Sequence, residues 1–124
     1  MAYKTILVIE DNPLNMKLVR SILARGKYSV LEAADAETGI MLAREKQPDA
    51  ILMDIQLPGM DGLSATQILK SDLQFKNTII IAITSYAMAG DEQKAYDAGC
   101  DGYISKPIDT KSFLNTINLF LERS

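Results

Sequence analysis

The chain has 124 residues, with 13 basic and 16 acidic side chains, a net charge of −3, 48% hydrophobic residues, one cysteine and no histidine. That length makes one domain able to bury roughly two-thirds of its unfolded surface without disulfide staples, and its scattered Lys and Arg argue against a nucleic-acid or anionic-membrane partner. Without histidine there is no Ser-His-Asp or Cys-His catalysis and no His-containing zinc site, so any chemistry must run on carboxylates, Lys, Thr and Tyr.

Thr5–Ile9 is the first of five short, β-rich apolar runs. Asn12 caps a first helix that Pro13 opens, where a missing N–H costs nothing. Leu14, Leu18 and Ile22 recur at four-residue spacing on it, and Val19 and Leu23 widen the apolar face. Tyr28–Glu32 is the second strand. Asp35 caps a second helix with Ala36, Ile40 and Ala43 inward, and Pro48 closes that unit. Ala50–Met53 is the third strand, followed by a short helix with Asp61 at its start and Leu63–Lys70 along it. Thr78–Ile83 is the fourth strand, and Ala89–Ala98 a fourth helix ending at Gly99, a left-handed terminator. Gly102–Ile104 is the fifth strand. Asp109 caps the last helix, whose Phe113, Ile117, Phe120 and Leu121 dock inward. Runs such as Ile-Ile-Ile-Ala-Ile without polar alternation fit a parallel sheet covered on both faces, with the helices as crossovers.

In such sheets function lies outside the carboxyl ends of the strands. Glu10, Asp11 and Asn12 stand after the first strand, Asp54 after the third, Thr84 and Ser85 after the fourth, and Ser105, Lys106 and Pro107 after the fifth. After the second there is only Ala33-Ala34 before Asp35. Singly, Asp11 reads as a cap, Thr84 as a turn residue and Lys106 as a solvated charge. Asp54 is harder to dismiss, because it sits in an apolar context where a charge is costly. Together these residues fit divalent-metal-assisted phosphoryl transfer to a carboxylate. Neighbouring carboxylates repel by about 4 kcal/mol per pair at an effective dielectric near 20, and a hard cation such as Mg²⁺ relieves this. Asp54 is then the nucleophile, Lys106 neutralises phosphoryl oxygens and Thr84 hydrogen-bonds one of them. No glycine-rich phosphate loop occurs in the sequence.

The segments Ile6–Asn12, Ile51–Gly62, Ile83-Thr84-Ser85 and Gly102–Pro107, in this order and spacing, resemble the receiver domain of bacterial two-component response regulators, over residues 4–122. The stretches EDNPLNMKLV, ILMDIQLPGMDG and YISKPI are most similar to single-domain regulators of the DivK cell-cycle type; a receiver excised from a hybrid histidine kinase or larger regulator is the alternative. The resemblance implies a flavodoxin-like (βα)₅ three-layer sandwich with a parallel five-stranded sheet in the order 2-1-3-4-5. It implies that residues 1–124 form a receiver without an output domain, and that Asp54 accepts a phosphoryl group from a partner's phosphohistidine. Glu10, Asp11, Asp54 and the backbone carbonyl of Gln56 would hold Mg²⁺ (or Mn²⁺), Lys106 would contact the phosphoryl group, and Thr84 and Tyr103 would be the switch pair. The Lys106–Pro107 bond is often cis in the family. Ser85 stands where Ala is usual, Gln56 and Tyr86 where the family adjusts phosphoryl lifetime, and Ala89 where a basic residue is common.

The implied partners are a histidine kinase or histidine phosphotransfer protein, a downstream protein target read through Tyr86, Met88, Tyr96 and the last helix, and a second copy docked through the fourth and fifth helices. The donor must come from outside, because the chain has no histidine of its own. Short apolar runs and the lack of a leader point to a cytoplasmic protein without membrane or nucleic-acid contacts. Cys100, the lone cysteine, fits a reducing compartment and a core or turn position. A phosphatase passing through the same aspartyl-phosphate would want a second acid two residues beyond Asp54, where Gln56 stands. A flavin carrier rests on topology alone, and a receiver unable to accept phosphate conflicts with the complete acidic, Thr and Lys set.

Overall fold

The computed structural model describes residues 4–84, 90–106 and 108–122. Among them strands and helices alternate: β1 (Thr5–Ile9), α1 (Pro13–Arg25), β2 (Ser29–Ala33), α2 (Ala36–Lys46), β3 (Ala50–Asp54), α3 (Gly62–Lys70), β4 (Ile79–Thr84), α4 (Asp91–Ala98), β5 (Gly102–Ser105) and α5 (Thr110–Glu122). A 3₁₀ turn at Leu73–Phe75 precedes β4. The strands form one parallel sheet in the order β2-β1-β3-β4-β5. This is the flavodoxin-like arrangement, and the strand order reverses between β1 and β3.

The core follows from side-chain alternation along strands. Leu7, Ile9, Ile51, Met53, Ile80 and Ala82 face α2, α3 and α4. Ile6, Val8, Leu52, Ile81 and Ile83 face α1 and α5. β3, central and covered on both sides, is buried at every residue. Among the described residues no helix is long and apolar enough to cross a membrane.

The expected caps form. Asn12 Oδ1 accepts from the N–H of Leu14 and Asn15, Asp35 from Thr38, Asp61 from Ser64 and Asp109 from Lys111. Gly99 ends α4 at φ 114°. That helix is short and lightly held. Gly90 precedes it at φ 91° without a side-chain cap, and only Ala95 and Ala98 are buried on it.

Several expectations need correction. The second strand starts at Ser29, because the Tyr28 N–H is engaged with Leu23 O at the end of α1. β2, β3, β4 and β5 each run one residue past their expected ends, to Ala33, Asp54, Thr84 and Ser105, because ladder pairing continues to that level, and β4 starts one residue late, at Ile79. Leu14 and Leu18 do not face the core: they are 78% and 37% exposed, and Met16, Val19, Ile22 and Leu23 are buried instead. Each four-residue step overshoots a full turn by about 40°, so Leu14 lies about 80° around the helix from Ile22. The fourth helix begins at Asp91; Ala89 lies outside the described residues.

Candidate functional site

The carboxyl ends of β1, β3, β4 and β5 place Glu10, Asp11, Asp54, Thr84 and Lys106 around one cleft. Glu10, Asp54 and Thr84 are buried, whereas Asp11 is exposed. Glu10 is fixed by its N–H on Ala33 O at 3.0 Å, and its carboxylate accepts from the Asn12 N–H at 3.1 Å. Asp54 Oδ1 accepts from the Gln56 N–H at 2.9 Å. Lys106 is set by its N–H on Thr84 O at 2.7 Å, and its ammonium reaches Glu10 Oε1 at 2.8 Å and Asp54 Oδ2 at 3.4 Å.

Glu10, Asp11 and Asp54 each offer a carboxylate oxygen, all within 4.8 Å of one another. Burial, then the hydrogen bond and charge of Glu10, push the Asp54 carboxyl up to about 6, against the pull of Lys106. Burial also opposes ionisation of Glu10, but its hydrogen bonds from Lys106 and within the pair outweigh it and hold its pKa below the ordinary value. Burial and the neighbouring Glu10 carboxylate thus make Asp54 hold a proton more readily than an isolated aspartate does. Burial draws the Lys106 pKa down, yet the two carboxylates win and raise it. Three carboxylates against one ammonium leave two negative charges in excess when all are ionised. That is the charge of one divalent cation, and an all-oxygen donor set suits Mg²⁺. The residues present fit such an ion.

Two features of the site were absent from the sequence reading. The Gln56 side-chain amide donates to Thr84 Oγ1 at 2.6 Å, linking the β3 and β4 ends. Gly62 lies so near the turn after Asp54 that an added Cβ would sit 2.2 Å from Asp54 O and 2.9 Å from Ile55 Cα. The available signals were the position of Gln56 two residues past Asp54 and the second glycine of Pro-Gly-Met-Asp-Gly. Tyr103 is not in the cleft. Its ring packs against the core on the α2–α4 side, and its buried hydroxyl has no hydrogen-bond partner among the described residues. Ser85, Tyr86, Met88, Ala89 and the Lys106–Pro107 bond fall at or beyond the edge of the described residues, so the expectations on them lie outside what the structure describes.

A family model for the response regulator receiver domain matches residues 6–118. The chain belongs to this family. As a receiver it is 43% identical over 118 residues to the polar-differentiation response regulator DivK of Brucella anthropi, covering 95% of this chain and 96% of that protein. The DivK of Brucella ovis matches at the same identity and coverage. Among solved structures, the receiver domain of sensor histidine kinase PA1611 from Pseudomonas aeruginosa, which has a magnesium ion coordinated in its active site cleft, superposes with a TM-score of 0.90 at 32% identity, covering 98% of this chain and 99% of that one. A response regulator from Chloroflexus aurantiacus shares the fold, with a TM-score of 0.93 at 23% identity and coverage of 98% and 99%. The receiver is thus a DivK-like member of a signalling-switch family, with an acidic cluster suited to Mg²⁺ at the strand ends.

Proposed function

We infer that residues 1–124 are one receiver domain in which Asp54 accepts a phosphoryl group from a phosphohistidine on a histidine kinase or histidine phosphotransfer protein. The observation that carries this is the Glu10–Asp11–Asp54 cluster with Lys106 bridging two of its members. An Asp54 oxygen attacks phosphorus, the P–N bond breaks, and its electron pair stays on the leaving imidazole. Hydrolysis later returns the carboxylate. Mg²⁺ or Mn²⁺, held by Glu10, Asp11, Asp54 and the Gln56 carbonyl, supplies charge neutralisation for the phosphoryl oxygens. Lys106, already poised between Glu10 and Asp54, swings onto a phosphoryl oxygen, and Thr84 donates to another. Moving Thr84 leaves space for the Tyr103 ring, so Thr84 and Tyr103 form the switch pair.

The output is a change in protein–protein contacts with a downstream target, and with a second copy through α4 and α5. Turnover is confined to the domain's own phosphorylation and dephosphorylation. Gln56 in place of a second acid speaks against a phosphatase, and the scattered basic residues against nucleic-acid or membrane binding. A cytoplasmic location fits this role. The end-to-end match to DivK supports a regulator of that type over a receiver cut from a hybrid histidine kinase.

The test is radiolabelling from acetyl phosphate with Mg²⁺, with phosphotransfer profiling against candidate kinases. Wild type takes up about one phosphoryl group per chain, as a single acceptor carboxylate requires, and Asp54→Ala takes up none. Full labelling of Asp54→Ala would overturn the assignment.

A further inference from the structure

A cavity of 370 Å³ opens between α1 and α5, lined by Ile22 and Arg25 from the one and by Thr110, Lys111, Leu114 and Asn115 from the other. That volume lies in the range of small-molecule sites, about 300–1,000 Å³. Ile22 is buried and Leu114 half-buried, giving an apolar floor, while the other four residues are exposed around it. The walls are held in place. A Cβ on Gly26 would lie 2.6 Å from Leu114 Cδ1, so α5 closes directly onto the end of α1, and one turn beyond Leu114 the Tyr28 hydroxyl donates to Asn118 Oδ1. No carboxylate lines the cavity, and neither Arg25 nor Lys111 forms an ion pair among the described residues. Asp109, the acid nearest to Lys111 in sequence, turns its Oδ1 to the N–H groups of Lys111 and Ser112. The cavity shares no residue with the acidic cleft, and Arg25 lies about 20 Å along α1 from the Asn12 cap. Two cations over an apolar floor, with no acid between them, complement a ligand that is apolar along its body and anionic at one end.

We propose that the cavity between α1 and α5 binds a small organic anion. The apolar body lies on Ile22 and Leu114. The guanidinium fork of Arg25 takes the oxygens of the anionic group, and the Lys111 ammonium adds a point charge from the facing helix. Thr110 and Asn115 supply hydrogen bonds at the rim. Neither half of such a ligand suffices alone: an inorganic anion leaves the floor wet, and a neutral apolar molecule leaves both cations unanswered.

The probe is anilinonaphthalene sulfonate, an aromatic body with one anionic group. It is titrated into the full chain and followed by fluorescence and by backbone amide shifts in nuclear magnetic resonance. Binding saturates, with the shifts gathered at residues 22–26 and 110–115. Arg25→Gln and Lys111→Gln each weaken it about fivefold, as the loss of one exposed ion pair does. Lys94→Gln removes the same charge from α4, on the other side of the sheet, and changes the affinity by less than about twofold. Octanoate displaces the probe, whereas octanol or acetate at the same concentration does not. An Ala variant takes the place of any Gln variant that loses the wild-type circular dichroism. Unsaturable binding, shifts centred elsewhere, equal weakening by Lys94→Gln, or displacement by octanol as complete as by octanoate overturns the proposal.

Discussion

Replacing Tyr103 by Phe removes one atom, the buried hydroxyl oxygen that lacks a partner among the described residues. The ring, packed against the core, keeps its contacts. Burial, with the charges of Asp91 and Glu92, raises the Tyr103 pKa, so the group stays a neutral phenol at working pH. Leaving a polar group buried and unpaired costs about 1–3 kcal/mol. Taking the low end, because the ring is only partly buried, Tyr103→Phe stabilises the fold by about 1 kcal/mol. With a urea m-value of about 2 kcal/mol/M, the midpoint rises by about 0.5 M, and the thermal midpoint by about 4 °C. Urea melts followed by circular dichroism at pH 7, with chelator present, read this directly. A lower midpoint for Tyr103→Phe, or an unchanged one, would refute the reasoning, because it would mean that the hydroxyl is satisfied where it lies.

The Asp54 pKa, lifted from 3.8 to about 6 in the folded state, means that stability is lost as pH rises between those values. Asp54→Asn escapes that loss, so in chelator it is more stable than wild type by on the order of 2 kcal/mol above pH 7. The advantage disappears below pH 4 and shrinks when Mg²⁺ is added; equal urea midpoints for the two proteins across this range would count against the site electrostatics. Gly62→Ala forces a methyl against Asp54 O at 2.2 Å, costs about 2 kcal/mol and weakens Mg²⁺ binding measured by calorimetry. Gly90→Ala, in open space at φ +91°, costs about 1 kcal/mol and leaves the metal affinity as it was. If Gly62→Ala bound Mg²⁺ like wild type, the tight packing at Asp54 would have no bearing on the site.

The parts of the fold legible in the sequence are those whose cause is local. Asn12, Asp35, Asp61 and Asp109 each satisfy an N–H two or three residues onward, so a short window contains the whole interaction. The buried β3 run announces itself by having no polar alternation. The strand ends are less legible, because Asp54, Thr84 and Ser105 become strand residues only through neighbours far along the chain. Within the site, the residue types after each strand could be read, but their pairings could not. Lys106 was expected to meet a phosphoryl group, and in this structure it lies on Glu10, 96 residues away in sequence. The Gln56–Thr84 bond is hidden for the same reason: no periodicity or cap rule links positions 28 residues apart.

The helices bury unequal numbers of side chains. α2 packs closely on the Ile9 side chain through Gly39, and α3 on the backbone at Asp54 through Gly62. α4 rests on two alanine side chains, each methyl worth about 0.8 kcal/mol of apolar burial. Among the described residues α4 thus buries fewer side chains than any other of the five helices, and it has the least apolar area to lose on parting from the sheet.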